Sequence, residues 1–116
     1  MQVYEGAMYE ISTKLEILDD EFQVRFSHDP IHHMERRLKS VSSIIGKLER
    51  KGLPIGVNSI KDNLFDVAGI RVICAFIDDI YSIANMLIRQ DDITLIDKKD
   101  YIKNPKANGY RSLHLI

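Results

Sequence analysis

Between Lys99 and His114 the chain reads Lys-Asp-Tyr-Ile-Lys-Asn-Pro-Lys-Ala-Asn-Gly-Tyr-Arg-Ser-Leu-His. Lys99, Lys103, Lys106 and Arg111 gather there with tyrosine, asparagine and histidine around an Asn-Gly dipeptide. Cations suit phosphates, a tyrosine face suits a nucleobase, and an asparagine amide can read a base edge. Asn108-Gly109 is also a strong hairpin-turn signal, which accounts for both residues without any ligand. In the strand expected next, alternation puts Tyr110, Ser112 and His114 on one polar face and Leu113 and Leu115 on the other. That polar face is open to a ligand or to solvent.

Upstream, Lys39, Ser43 and Lys47 recur every fourth residue. On a helix this makes either a solvated outer face or a phosphate-binding ridge of two ammonium groups and a hydroxyl. Arg36 falls on that stripe by angle and Arg37 does not. Asp66 stands just before an apolar run, where a carboxylate can cap a turn or hold Mg²⁺ together with substrate phosphates. Arg71 lies inside the run, where a charge needs either an ion-pair partner or a ligand. His28, His32 and His33 match no standard zinc spacing and read as surface residues at the start of a helix.

These side chains need elements to position them. Tyr4, Met8, Ile11, Leu15, Leu18 and Phe22 recur at helical spacing and predict one long amphipathic helix to about Phe26. Asp29 and Pro30 suit a cap and first turn of a second helix running to about Arg50, with Met34, Leu38, Val41, Ile45 and Leu48 as its apolar stripe. Lys51-Gly52-Leu53-Pro54 ends it. Ser59 can cap a short helical turn over Ile60 to Leu64. The β-branched run Val67 to Ile77 reads as a buried strand. A third helix follows through Ile80, Ile83, Ala84, Leu87 and Ile88. Ile93 to Ile96 reads as a strand extending towards Tyr101, and Tyr110 to Ile116 as the last one.

At 116 residues the chain suffices for one small core, and 45% hydrophobic with 28% charged residues is ordinary for a globular protein. A net charge of -1 gives no long-range attraction to nucleic acid or acidic membrane, so cations at a site must be clustered locally. Cys74 is the single cysteine, which excludes an intramolecular disulfide; its apolar setting favours burial over reactivity. Neither a signal peptide nor a membrane-length apolar run is present, and a cytoplasmic protein is expected.

Three blocks in order, Arg37 to Lys47, Phe65 to Ile73 and Lys99 to His114, closely resemble the RelA/SpoT-type alarmone synthetases, in particular their small stand-alone branch. The resemblance runs from about Pro30 to Ile116. It implies an α+β fold with a nucleotidyltransferase-like mixed sheet flanked by helices and preceded by two N-terminal helices. Residues 1–28 are then an assembly or regulatory helix, and residues 29–116 part of a synthetase domain. The implied activity is transfer of pyrophosphate from ATP to the ribose 3′-hydroxyl of GTP or GDP, with Mg²⁺ as cofactor, in the stringent response.

Residue by residue, the resemblance implies that Arg37, Lys39, Ser43 and Lys47 bind ATP and that Lys99, Lys106, Asn108, Tyr110 and His114 bind GTP or GDP. It further implies that Asp66 binds the metal and, with Arg71, is catalytic. It selects Arg37 where angular spacing favours Arg36. Asp97-Lys98-Lys99-Asp100 matches neither the basic nor the acidic form of the motif in long family members. The family continues into a Glu-x-Gln-Ile-Arg-Thr segment absent from this sequence, so weak activity or none is expected of these 116 residues alone. The resemblance also implies a homo-oligomer, a tetramer in the small branch. The competing expectations are a non-catalytic guanine-nucleotide-binding or oligomer-forming regulator, and an RNA-binding module using the same cations and tyrosines.

Overall fold

Helix α1, Gln2–Phe26, is the longest element of the computed structural model, which describes residues 2–56, 58, 64 and 67–116. Its buried face carries Met8, Leu15, Leu18 and Phe22, three to four residues or a multiple of that apart, as expected from the sequence. The helix ends at Ser27, a non-glycine residue at φ 62°, and Pro30 behind it is buried.

The chain then departs from expectation. Residues Ile31–Leu38 form a strand, β1, and the helix expected from Pro30 begins only at Val41. β1 pairs antiparallel with β2, Ala68–Cys74. Ile31 faces Cys74, and a bulge before His33 shifts the register, so that Met34 faces Val72, Arg36 faces Ile70 and Leu38 faces Ala68. These pairs form the inner face, towards α1. His33–Ile73, Glu35–Arg71 and Arg37–Gly69 are the alternate pairs and form the outer face.

Helix α2, Val41–Arg50, is capped by Ser40, whose Oγ accepts from the Ser43 amide at 3.2 Å. A serine cap contributes about 0.5–2 kcal/mol relative to alanine. The helix buries Ile44 and Leu48, while Val41 is exposed. Gly52, at φ 68°, closes its C-terminus, with Leu53 N donating to Leu48 O at 2.9 Å. Helix α3, Ile77–Ile88, follows β2 directly and buries Ile83 and Ala84. A second ribbon pairs β3, Lys98–Asp100, antiparallel with β4, Leu113–Leu115. Residues 93–96 are irregular; the ribbon is extended backwards by Ile96 N, donating to Ile116 O, and by Ile116 N, donating to Asp97 O.

Two hydrophobic clusters hold these elements. Leu15, Leu18, Phe22 and Ile83 form one, under the inner face at Met34, Ile70 and Val72. Ile44, Leu48, Leu64 and Val67 form the other, joined by Tyr4 and Leu38. Each fully buried aliphatic side chain contributes about 1.5–3 kcal/mol. The α+β class holds. The expected mixed sheet takes the form of two antiparallel ribbons among the described residues, and one helix rather than two precedes the first strand. The helical turn expected after Ser59 lies outside the described residues.

Candidate functional site

Strand β3 brings Lys99 opposite His114 of β4. The connection between them turns twice. At its start the Asp100 carboxylate accepts from Ile102 N and Lys103 N, both at 3.0 Å. Those backbone donors, and the Tyr81 hydroxyl, hold the Asp100 carboxyl below its usual pKa. At its end Gly109 sits at φ 84°, a conformation that favours glycine, and Asn108 Oδ1 accepts from Tyr110 N at 3.1 Å. Gly109 N donates to Lys106 O at 2.8 Å, and Lys106 N donates to Tyr110 O at 3.1 Å. The Asn-Gly turn expected from the sequence is therefore present.

These turns bring three rings together. Tyr101 meets His114 edge-on at 5.3 Å between centroids and Tyr110 at 6.1 Å; Tyr110 meets His114 at 5.8 Å. The Tyr110 hydroxyl lies 2.9 Å from His114 Nε2, so the two share a face, as alternation requires. The Lys106 ammonium sits 4.7 Å from the Tyr101 centroid and 5.3 Å from that of Tyr110. Both Tyr110 and His114 are exposed. The arrangement offers aromatic faces, an ammonium and an imidazole to one ligand, which is what a nucleotide needs from a binding loop. Tyr101 is a member of this cluster that the sequence did not single out. Its signal is a second aromatic two positions after Lys99.

A second group lies on the outer face of the β1–β2 ribbon. Arg37 and Arg71 both point there, diagonal to one another, with Gly69 opposite Arg37. A side chain at Gly69 would meet open space, so the surface beside Arg37 is clear. Arg71 is exposed opposite Glu35, and β2 is half-buried rather than buried, which corrects the expectation of a charge enclosed in an apolar strand. Arg36 points the other way, its guanidinium 5.0 Å from the Tyr9 ring on α1. Arg37, not Arg36, thus shares the open face with Arg71.

Lys39 precedes the Ser40 cap, so it is not on a helical stripe with Ser43 and Lys47; its amide donates to Val67 O at 2.7 Å. Lys39 and Lys47 are both half-buried. Ser43 belongs to a hydroxyl group at the start of α2, with Ser40 Oγ 2.9 Å from Ser43 Oγ and 3.2 Å from Ser42 Oγ. Asp66 lies outside the described residues. Among those residues no group of three or more His, Cys, Asp or Glu is placed to hold a metal ion.

The three histidines separate. His32 and His33 are exposed, and His33 contacts Glu35 at 3.1 Å. His28 is not a plain surface residue. Its Nε2 lies 3.0 Å from Oδ2 of the buried Asp79, and its ring stands edge-on to Phe22 and Phe76. It fastens the end of α1 to the start of α3.

The model of a region found in RelA and SpoT proteins matches residues 36–116. GTP pyrophosphokinase YwaC of Bacillus subtilis is 46% identical over 114 residues, a match covering 98% of this chain and 54% of YwaC. The crystal structure of small alarmone synthetase 2 from Bacillus subtilis superposes with a TM-score of 0.81 at 43% identity, over 98% of this chain and 56% of that one. Small alarmone synthetase 1 from the same organism, bound to its product pppGpp, gives 0.79 at 38% identity, over 97% of this chain and 56% of its own. The chain thus spans about half the length of these relatives. No helix among the described residues is long and apolar enough to cross a membrane.

Proposed function

The chain belongs to the family defined by the region found in RelA and SpoT proteins, and from that membership we propose that it carries nucleotide-binding machinery of a GTP pyrophosphokinase. In this reaction the ribose 3′-oxygen of GTP or GDP attacks the β-phosphorus of ATP. The bond from that phosphorus to the α-phosphate bridging oxygen breaks, AMP leaves, and the 3′-hydroxyl proton passes to a base or to water. The single observation that carries the reading is the cluster of Tyr101, Tyr110, His114 and Lys106 around the Asn108-Gly109 turn.

In this reading guanine stacks on Tyr110, Asn108 contacts the base or ribose, and Lys99, Lys106 and His114 contact the acceptor's phosphates. Arg37, Lys39, Ser43 and Lys47 bind the triphosphate of ATP, and Arg71 contacts phosphate as charge develops. Two features support the ATP side: the open outer face shared by Arg37 and Arg71, and the hydroxyl-rich start of α2. Mg²⁺ bound at Asp66 and the nucleotide phosphates would neutralise charge on the transferred group. We also propose a homo-oligomer. Val3, Ile17 and Val24 are exposed on α1 at multiples of seven residues, one face available to another chain. The setting proposed is cytoplasmic.

Calorimetry of the 116-residue chain with GTP and GDP tests the reading. Saturable binding is expected, and Tyr110→Ala should weaken it by the about 1–3 kcal/mol of one stacked base. Absence of saturable binding by the unaltered chain would overturn it. Supplying ATP, GTP and Mg²⁺ to a chain extended through the family's Glu-x-Gln-Ile-Arg-Thr segment, and assaying AMP and guanosine pentaphosphate, then separates the pyrophosphokinase from the regulator, which would bind without turnover. In a chain with turnover, Asp66→Ala should abolish it; unchanged activity would remove Asp66 from the metal site.

A further inference from the structure

Tyr81 stands on α3, outside both groups of nucleotide-binding residues, yet its hydroxyl donates to Asp100 Oδ2 at 2.7 Å. The other carboxylate oxygen, Oδ1, accepts from the amides of Ile102 and Lys103. Asp100 is therefore held on one side by a helix and on the other by the first turn of the Lys99–His114 loop. A hydrogen bond from a phenol to a carboxylate is charge-assisted, stronger than a neutral one.

The position of Asp100 bears directly on the ring cluster. Tyr101 is the next residue, and its amide donates to Ser112 O at 2.8 Å, across the base of the loop. Its ring then meets both Tyr110 and His114 and lies under the Lys106 ammonium. β3 and β4 are three residues each, continued by backbone bonds at Asp97–Ile116 and Tyr101–Ser112, and a two-stranded ribbon is marginally stable by itself. The contact from α3 supplies an anchor outside the ribbon.

We propose that Tyr81 is a positioning residue for guanine-nucleotide binding: through Asp100 its hydroxyl fixes the turn that holds Tyr101 against Tyr110 and His114. The role rests on the guanine-nucleotide reading of the loop. It assigns to α3, and to a hydroxyl that touches no nucleotide, control over the affinity of one substrate and not the other. Asp100 thereby acquires a function that Lys99 beside it does not share.

The test compares the full chain with Tyr81→Phe, which removes only the hydroxyl, and with Asp100→Asn. Amide hydrogen exchange at Ile102 and Lys103 reads the turn, and calorimetry with GTP and with a non-hydrolysable ATP analogue reads the two nucleotides. Tyr81→Phe should speed exchange at both amides and weaken GTP about 5- to 10-fold, the scale of one hydrogen bond. Affinity for the ATP analogue should stay within about twofold, a split that general destabilisation would not give. The Tyr81→Phe/Asp100→Asn double variant should weaken GTP by less than the product of the single effects. Unchanged GTP affinity in Tyr81→Phe, or equal weakening of both nucleotides, would overturn the role while leaving the nucleotide reading intact. Failure of the unaltered chain to bind GTP would overturn both.

Discussion

At the scale of single residues, the site depends on backbone conformations that side-chain chemistry alone does not explain. Gly109 sits at φ 84°, and a methyl group there would meet open space. Gly109→Ala therefore carries only the backbone cost of a left-handed residue, about 1–2 kcal/mol. The expected outcome is weaker GTP binding together with a melting temperature lowered by several degrees, read by calorimetry beside a thermal melt. Cys74 shows the opposite case, a residue governed by its surroundings. Burial pushes its thiol up to about 11, with the Asp79 and Asp19 carboxylates adding to the shift. Its labelling by a thiol reagent at about pH 8 should be much slower than that of the unfolded chain. Lys106, Asn108, Tyr110 and His114 are legible in the sequence because a turn and an alternating strand are local. Tyr101, Asp100 and Tyr81 are not, because their meeting depends on a cross-strand bond and on a helical residue 19 positions upstream of Asp100.

At the scale of elements, β1 hides behind a helical pattern for a definable reason. Ile31, Met34 and Leu38 are three and four residues apart, a helical spacing. The bulge before His33 produces the first interval by changing the phase of the strand. The second contains Arg36, an inner-face residue whose long side chain reaches Tyr9 and so looks polar in the pattern. Asp29-Pro30 completes the false helix start, and pairing with β2 overrides it. The joint between α1 and β1 also carries a titration. Asp19 Oδ1 accepts from Ile31 N at 3.0 Å, and the Asp19 carboxyl is raised from 3.8 to about 6, first by burial and then by its hydrogen bond with Asp29. The folded chain thus keeps a proton that the unfolded chain releases between about pH 4 and pH 6, and stability falls as pH rises through that window. Asp19→Asn should remove this fall, since an amide oxygen still accepts from Ile31 and the amide nitrogen donates to Asp29. Thermal melts of both chains from about pH 4 to 8 should converge at the acid end and separate at the alkaline end, with the variant the more stable there.

At the scale of the whole molecule, the fold is elongated. Its radius of gyration is 15.9 Å and its extents 49 × 35 × 22 Å, against about 13 Å for a compact chain of this length. The cause is α1, whose 25 residues reach both hydrophobic clusters, with Tyr4 at one and Leu15, Leu18 and Phe22 at the other. The two clusters share no buried residue, so α1 carries much of their mutual stability. Leu15→Ala should cost about 2–5 kcal/mol, a large part of the total for a domain this small. Denaturant titration should show one transition shifted to lower concentration; separate transitions for the two clusters would contradict this joint dependence on α1. The sequence shows α1 and its buried face because Met8, Leu15, Leu18 and Phe22 keep a helical spacing along it, a local signal. How the ribbons pair depends on contacts distant along the chain, and those are not legible in one sequence.

The ring cluster at the Asn108-Gly109 turn has one more property. The chain has no tryptophan and five tyrosines, so phenols dominate its near-ultraviolet emission. Two of those phenols sit in the cluster, both edge-on to the His114 imidazole and both against the Lys106 ammonium. The Lys106 ammonium lies over Tyr101 and Tyr110, so the methylene bonded to it is expected to resonate upfield of those of other lysines, which a proton spectrum checks. The loop therefore carries its own optical and magnetic label, and a base entering between the rings would report its arrival without any added dye.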